Sequence, residues 1–285
     1  MPSYDAVGAQ IRMHLPTLTA TEAHVAETIT SLENLSLSTP IKEVADVAGV
    51  SEAMVVKVAK KLGFAGFREL RAGLIGYRRV PTAALYSELS PDDDLETIAE
   101  KVFSTSIQAL QETLAILKPA VLRDVVKLLA EAKSLDFYGV GGSAQIARDV
   151  AHKFLRIGRR VAVYDDSHLM MMSAAALGPD DVVVAFSHSG TTEAVIEPAE
   201  LAQAGGAKVI ALTNYATSPL AEIADLVLAS TALGGPLLGE NAAARIAQLN
   251  IFDVVFVALA QRDAGIAEAH LERTMTAVKA KRRRR

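Results

Sequence analysis

Beyond residue 134 the chain alternates short, uninterrupted apolar runs with stretches of helical periodicity. Strands with one face in water alternate apolar and polar residues, whereas strands buried on both faces are continuously apolar. Burial on both faces is typical of a parallel sheet covered by helices, so this part of the chain predicts a single α/β domain of about five strands. The predicted strands are Leu135–Val140, Val161–Tyr164, Val182–Phe186, Val209–Leu212 and Leu226–Leu228.

A loop rich in hydroxyl groups joins the third predicted strand to the helix after it. Its sequence is Ser187-His-Ser-Gly-Thr-Thr192. The first turn of a helix has unpaired N–H groups, and the helix dipole favours negative charge at that end. Hydroxyls, a glycine and free amides at this point predict a site for a phosphate-sized anion. The simpler alternative is a capped turn without a ligand.

The first predicted strand also ends in a glycine-rich loop, Gly139-Val-Gly-Gly-Ser-Ala144, where a helix starts. One interpretation is the dinucleotide fingerprint G-x-G-x-x-A, with Asp165 or Asp166 as the acid that binds ribose. That interpretation gives no reason for the second loop at 187–192. Strands one and three commonly flank the point where the strand order of a doubly wound sheet reverses, so both loops would face one crevice. The polar segment 213–219 would close its side.

Residues 19–79 have helical periodicity throughout. Thr39 and Pro40 predict the start of one helix, with Thr39 as its cap, and Gly49 predicts its end. Ser51 is a suitable cap for the next helix, which carries several lysines. A short helix, a turn with glycine and a second, basic helix predict a helix-turn-helix.

Charge is distributed unevenly along the chain, although the net charge is only −4. Residues 57–79 contain seven basic residues and one acid, Glu69, and the last seven residues contain six basic ones. By the same count, residues 80–278 carry a net charge of about −11. This asymmetry predicts a module that binds a polyanion, attached to an acidic domain.

Composition excludes several classes of site. The chain has no cysteine, so disulfides and thiolate metal sites or nucleophiles are excluded, which suits the cytoplasm. No uniformly apolar stretch is long enough to predict a membrane span, and the N-terminus does not resemble a signal peptide. The histidines are scattered without metal-ligand spacing, so neither a metal nor a cofactor is expected.

Two sets of motifs resemble known families. The N-terminal motifs resemble the helix-turn-helix of RpiR-type bacterial regulators; they are Gly49-Val-Ser51 and Lys61-Leu-Gly-Phe-Ala-Gly-Phe-Arg-Glu-Leu70. The C-terminal motifs resemble a sugar isomerase (SIS) domain, the phosphosugar-binding module. The RpiR family joins these two domains in this order, and the resemblance covers about residues 10–270. The C-terminal motifs are Gly-Val-Gly-Gly-Ser at 139–143, Ser-His-Ser-Gly-Thr-Thr at 187–192, Ile-Ala-Leu-Thr-Asn at 210–214, Ser-Pro-Leu-Ala-Glu-Ile-Ala-Asp at 218–225 and Ala-Arg-Ile-Ala-Gln-Leu at 244–249.

The resemblance implies an all-α helix-turn-helix N-terminal domain joined to an α/β three-layer SIS domain with a five-stranded parallel sheet. It places the phosphate contacts on Ser187, Ser189 and Thr192, with Ser143 completing the pocket. Glu240 resembles the acid that often faces the sugar. The predicted ligand-binding residues are Ser143, Ser187, His188, Ser189, Gly190, Thr191, Thr192 and Glu240.

The helix after Ser51 is expected to read DNA, because the first turns of a recognition helix reach base edges while basic residues contact phosphates. Its 4-residue apolar spacing, Val50, Met54, Val58 and Leu62, predicts the core side. RpiR-type recognition helices usually show Thr then Arg where this chain has Met54 and Lys57. A solvated basic face on a dimerising helical bundle is the alternative. The predicted DNA-binding residues are Ser51, Glu52, Ala53, Val55, Lys57, Lys60, Lys61 and Arg68.

The predicted domains are the helix-turn-helix at 1–79, a linker at 80–94, the SIS domain with leading helices at 95–270, and a basic tail at 271–285. We therefore expect a cytoplasmic homodimer or homotetramer that regulates transcription of sugar metabolism, with operator DNA and a phosphorylated sugar as its partners. The alternative is a phosphosugar isomerase or lyase. Its candidate bases are His188, Glu193, Glu240 and His168. The DNA-binding domain favours the regulator.

Overall fold

A computed structural model describes residues 4–32, 34–77, 89–232 and 242–279. The chain divides into two compact units. The helical unit comprises Met1–Ile116 and Thr231–Ala244, and the sheet unit comprises Leu117–Ser230 and Arg245–Arg285. We describe each unit separately.

The helical unit is built from short helices around an apolar core, as its periodicity predicts. Val25, Val44, Val55, Val58 and Leu70 are fully buried in this core. Its helices are α1 (Tyr4–His14), followed by a single 3-10 turn (Leu15–Thr17), α2 (Ala20–Ser31), α3 (Ile41–Ala48), α4 (Glu52–Lys61), α5 (Phe67–Tyr77) and α6 (Leu95–Ile116).

Local sequence sets most of the helix starts in this unit. Thr19 and Glu22 form a capping box at the start of α2, in which each side chain accepts a hydrogen bond from the other residue's amide. The prediction that Thr39 caps α3 is wrong, because the N-cap is Pro40 and the helix begins at Ile41. Thr39 Oγ1 instead accepts from the amide of Ser36 at 2.9 Å.

Helix α6 belongs with the helical unit, although the sequence analysis assigned residues from 95 onward to the SIS domain. The reason is a buried polar cluster around Glu112 of α6. Tyr77 of α5 donates its hydroxyl to Glu112 at 2.8 Å, Gln108 donates its amide at 2.7 Å, and Arg12 of α1 forms an ion pair with the same carboxylate. These contacts tie α6 to α1 and α5.

The sheet unit alternates strands and helices in the order that the apolar runs predict. It starts with α7 (Pro119–Glu131) and continues with β1 (Ser134–Gly139), α8 (Gly141–Arg156), β2 (Val161–Tyr164), α9 (Ser167–Ala174), β3 (Asp181–Phe186), α10 (Glu193–Ala204), β4 (Lys208–Thr213), α11 (Pro219–Ile223), β5 (Leu226–Ala229), α12 (Ala242–Arg262) and α13 (Ala264–Lys279).

All five strands pair in parallel in the order β2-β1-β3-β4-β5. Alternate residues of a strand enter different cores: Phe137 packs with Phe186 and Phe252 on one face, and Tyr138 packs with Met170 on the other. Helices therefore cover both faces of the sheet, and the predicted three-layer α/β fold is confirmed. The strand order reverses between β1 and β3, as expected.

Helix α12 is the one helix among the described residues that is long and apolar enough to cross a membrane by length and composition. The sequence analysis predicted no membrane span. Ile251, Phe252, Val255 and Leu259 of this helix are buried in the core of the sheet unit. Core packing accounts for these apolar residues, whereas Val254 and Val257 of the same helix are exposed.

The predicted linker and tail are described only in part. Of the linker 80–94, the structure describes residues 89–94, which lead into α6. Of the tail 271–285, residues 271–279 are the end of α13, and the final arginines lie outside the described residues.

Candidate effector site and DNA-binding surface

The loop between β3 and α10 is closed by hydrogen bonds among its own hydroxyl groups. Ser187 Oγ and Thr192 Oγ1 are 3.0 Å apart, and the Gly190 amide donates to Ser187 Oγ at 3.1 Å. The amide and the hydroxyl of Thr191 both donate to Ser189 Oγ, at 3.2 and 2.9 Å. Ser187 is buried and Thr191 is exposed, so the hydroxyl groups run from the sheet towards the surface.

Gly190 fixes the shape of this loop. Its φ is +65°, and a Cβ at this position would lie 2.0 Å from Ser218 Oγ, so a side chain does not fit. The loop carbonyls are also held, because His188 O accepts from the Asn214 amide and Gly190 O from the Leu220 amide, each at 3.0 Å. The loop is therefore preformed in the structure.

The N-termini of α8 and α10 lie at the same edge of the sheet. β1 and β3 are neighbours, with Gly139 paired to Phe186. β1 leads into α8 through Val140, and β3 leads into α10 through the loop 187–192. The N-cap residues, Val140 and Thr192, provide no side-chain hydrogen bond to their helices. The amides of both first turns, with half-buried Ser143 in the first turn of α8, therefore lie at one edge of the sheet, and helix N-termini of this kind are suited to anions.

A buried polar cluster supports the loop from the next two strands. Thr213 Oγ1 donates to His188 O at 3.1 Å, Ser230 Oγ donates to the Asn214 side chain, and Gln248 donates to Ser230 Oγ at 3.1 Å. The segments with Thr213, Asn214 and Gln248 are among the motifs identified from sequence, but neither Ser230 nor a role for Gln248 was predicted. Both are polar residues within apolar stretches, and that signal could have found them.

The side chains of the remaining ligand and catalytic candidates have varied surroundings. The His188 ring packs edge-on against Tyr215, with 6.0 Å between ring centroids. His168 and Glu193 are exposed on the first turns of α9 and α10. Glu240, predicted to face the sugar, lies outside the described residues.

The acids proposed to bind ribose have structural partners instead. Asp166 caps α9 by accepting from the Leu169 amide at 3.0 Å, and Asp165 forms an ion pair with Arg148. Both carboxylates are engaged locally. The dinucleotide interpretation therefore loses its acidic residue.

Helices α3 and α4 and the turn between them form the predicted helix-turn-helix. Gly49 ends α3 in the left-handed conformation, with φ +65°. The Val50 amide donates back to Ala45 O at 2.9 Å, and Ser51 Oγ accepts from the Met54 amide at 3.3 Å. The turn residues that were predicted from sequence do set this geometry.

The exposed face of α4 is narrower than predicted. Ser51, Glu52, Ala53 and Lys57 are exposed, and so are Lys60 and Arg68. The prediction that Val55 reaches DNA is wrong, because its side chain is completely buried in the core of the helical unit.

Two of the α4 lysines are paired within the unit. Lys61 Nζ lies 2.7 Å and Lys57 Nζ 3.0 Å from the carboxylate of Glu22 on α2, which is only 1% exposed. The Lys61 ammonium, the Thr19 amide and the Lys57 ammonium lower the pKa of Glu22 to about 2. The sequence analysis missed Glu22; an acid three residues after a threonine cap is the signal that could have found it.

Arg71 holds the start of α3 rather than extending into solvent. Its guanidinium donates to the carbonyl of Thr39 and lies 5.5 Å from the centre of the Phe67 ring. Arg71 is one of the seven basic residues in the segment 57–79, which was predicted to bind a polyanion. The structure gives it a role in packing α5 against the helix-turn-helix.

These units define a class of protein in which a helix-turn-helix domain and a doubly wound α/β domain belong to one chain. The point where the strand order of the α/β domain reverses is suited to an anion. The profile of the rpiR-family helix-turn-helix domain matches residues 6–79, and that of the SIS domain matches residues 128–258. The transcriptional regulator RpiR of Escherichia coli K12 is 40% identical over 274 residues, which are 96% of this chain and 93% of that protein. The chain belongs to the RpiR family of helix-turn-helix transcriptional regulators.

Solved structures agree with this assignment. The NanR protein of Vibrio vulnificus, solved in complex with ManNAc-6P, is 25% identical with a TM-score of 0.63, covering 97% of this chain and all of that one. The sugar isomerase domain of an RpiR transcription factor from Sphaerobacter thermophilus has a TM-score of 0.59 at 23% identity, covering 63% of this chain and 98% of that one. The second likeness concerns the fold.

Proposed function

We propose that a phosphorylated sugar binds at the 187–192 loop and controls the affinity of this RpiR-family regulator for its operator in the cytoplasm. The phosphate would accept hydrogen bonds from Ser187, Ser189 and Thr192 and from the first-turn amides of α10. Ser143 and the start of α8 would complete the pocket. His188, Gly190, Thr191 and Glu240 remain proposed parts of the wall.

The observation that carries this proposal is the preformed loop at the strand-order reversal. Its hydroxyls are already ordered by one another, and its backbone is held by Asn214 and Leu220. A ligand therefore meets donors that need little rearrangement, which lowers the entropic cost of binding. The loop supplies hydrogen-bond donors and the helix dipole without any cationic side chain.

The likeness to NanR supports the ligand class. That protein is solved with a sugar phosphate, and the likeness spans both units of this chain. We infer that the effector of this chain is also a sugar phosphate. Which sugar it is depends on the pocket wall.

We further propose a homodimer or homotetramer, because isolated helix-turn-helix units pair to bind two half-sites. Apolar side chains are exposed along α6 and α12, including Phe103, Leu114, Val254 and Val257. An effector that favours one arrangement of subunits by about 1–3 kcal/mol would change operator affinity about 5- to 150-fold.

The test is a thermal-shift screen of the full chain against phosphosugars and their unphosphorylated forms. A ligand at a hundred times its dissociation constant is expected to stabilise the protein by about 2.7 kcal/mol. In the double variant Ser187→Ala, Ser189→Ala we expect this shift to disappear, since two donors to the phosphate are removed.

Thr274→Ala is the matched control, because it removes a hydroxyl from α13 in the same unit. His270, one turn earlier in α13, lies against Gly158 beyond the C-terminal end of α8, at the opposite end from the loop. This variant should keep the full shift. A phosphosugar shift that survives in the double serine variant would place the ligand elsewhere and refute the proposal.

A further inference from the structure

A single buried carboxylate connects the start of α2 to the recognition helix. Glu22 Oε2 accepts from the Thr19 amide at 2.9 Å and from Lys61 Nζ at 2.7 Å, while Oε1 lies 3.0 Å from Lys57 Nζ. The Glu22 side chain is 1% exposed, whereas the side chains of Lys57 and Lys61 are 58% and 37% exposed, so both lysines pair with the carboxylate while part of each side chain stays in solvent. Lys57 and Lys61 are one turn apart on α4, which lets both reach one acid.

The third lysine of α4 lies differently. Lys60 is exposed, and within the described ranges it has no ion pair. Lys60 and Lys61 are neighbours in sequence with the same chemistry, yet they are directed to different surroundings. The ammonium groups of Lys60 and Lys61 therefore differ in how available they are to a DNA phosphate.

We propose that Glu22 is a positioning residue for DNA recognition: its carboxylate holds α4 against α2 and neutralises Lys57 and Lys61, which leaves Lys60 as the α4 lysine that contacts phosphate. This inference depends on DNA binding by the helical unit and not on the proposed effector. It revises the predicted roles of Lys57 and Lys61 from DNA contact to support of the recognition helix.

The proposal has a consequence for how binding depends on salt. The logarithm of the affinity falls as the logarithm of the salt concentration rises. Each phosphate neutralised by a lysine releases counterions and adds about 0.9 to the magnitude of this slope. A lysine that stays paired with Glu22 and contacts no phosphate adds nothing to this slope. Non-specific binding is mainly electrostatic, so a random-sequence duplex reports these charges directly.

The first experiment compares Lys60→Gln with Lys61→Gln in the full chain, by salt titration of a labelled random-sequence duplex followed by fluorescence anisotropy. We expect Lys60→Gln to lower the slope by about 0.9 and Lys61→Gln to leave it unchanged. Both substitutions affect partly or fully exposed side chains on the same helix turn. An equal fall for the two variants would overturn the proposal.

The second experiment uses Glu22→Gln, which removes the charge but keeps an oxygen that can accept from the Thr19 amide. Release of two lysines should steepen the slope by about 0.9 for each lysine that reaches a phosphate. It should also narrow the affinity ratio between a duplex selected by the wild-type protein and the random duplex. An unchanged slope in a folded Glu22→Gln variant would overturn the proposal, and if that variant does not fold, the comparison of the two lysines still decides.

Discussion

The two units use charge in opposite ways. In the described part of the helical unit, two ion-pair carboxylates are buried, since Glu22 and Glu112 are 1% exposed, and that of Asp93 is 10% exposed. In the described part of the sheet unit, the acids of the ion pairs are between 24% and 55% exposed. The 187–192 loop of the sheet unit, proposed to bind an anion, is built from hydroxyls and backbone amides.

This difference shows why charge counts are a poor guide to where the two proposed ligands, DNA and a phosphorylated sugar, would bind. The basic residues around α4 suggest a large surface for DNA, but Lys57, Lys61 and Arg71 all have partners within their own unit. The acidic sheet unit suggests no anion site, yet its loop offers donors without using a cation. Geometry decides which groups remain available to a ligand.

The largest expected effect comes from breaking the buried ion pair between Arg12 and Glu112 in the helical unit. Arg12→Met should destabilise the protein by about 3–5 kcal/mol, because it leaves the Glu112 carboxylate buried without its cation. The measurement is chemical unfolding followed by circular dichroism. Arg68→Met, which removes an exposed arginine of α5, serves as the control and should change stability by less than about 0.5 kcal/mol. Equal effects for both variants would contradict the role given to buried charge.

A backbone change tests the sheet unit in the same way. Gly190→Ala should cost about 2–5 kcal/mol, since it combines a left-handed conformation with a clash against Ser218. It should also abolish the thermal shift with any phosphosugar that binds the wild type. Gly178→Ala, just before β3, has open space around its Cβ and no positive φ, so it should keep both stability and the shift. A stable Gly190→Ala variant that still binds would show that the loop is not preformed.

The smallest effect concerns pH. The contacts of Glu22 lower its pKa from 4.5 to about 2, so the ionised carboxylate stabilises the folded state above 4.5 and this stability is lost as pH falls towards 2. Glu22→Gln lacks this contribution. The difference in melting temperature between wild type and variant should be largest at neutral pH and should shrink in acid. A difference that is independent of pH would contradict the ion-pair account.

Most of the fold could be predicted because its signals are local. Uninterrupted apolar runs such as Val182–Phe186 identify buried parallel strands, and the glycine-rich and hydroxyl-rich loops identify the strand-order reversal between β1 and β3. The turn at Gly49 and Ser51 likewise depends on two neighbouring residues. In each case the physical cause lies within a few residues of the element it determines.

The errors concern residues whose surroundings come from distant parts of the chain. Val55 lies on a helix with apolar residues on several sides, and packing against α2 and α3 decides which side is buried. The partner of Lys57 and Lys61 is Glu22 on α2, which precedes Lys61 by 39 residues. Val55 is three residues before Val58 and seven before Leu62, a helical spacing that is consistent with burial. Periodicity within α4 contains no information on the partner acid of the two lysines.

The direct hydrogen bonds of the 187–192 loop join residues between Ser187 and Leu220. Contacts between residues close in sequence form early, because little chain entropy is lost in closing them. The loop can therefore assemble as soon as β3 and β4 pair, before the C-terminal helices have been added. A chain emerges from the ribosome from its N-terminus onward. The direct hydrogen bonds of the 187–192 loop would therefore be able to form before synthesis of α12 and α13 has finished.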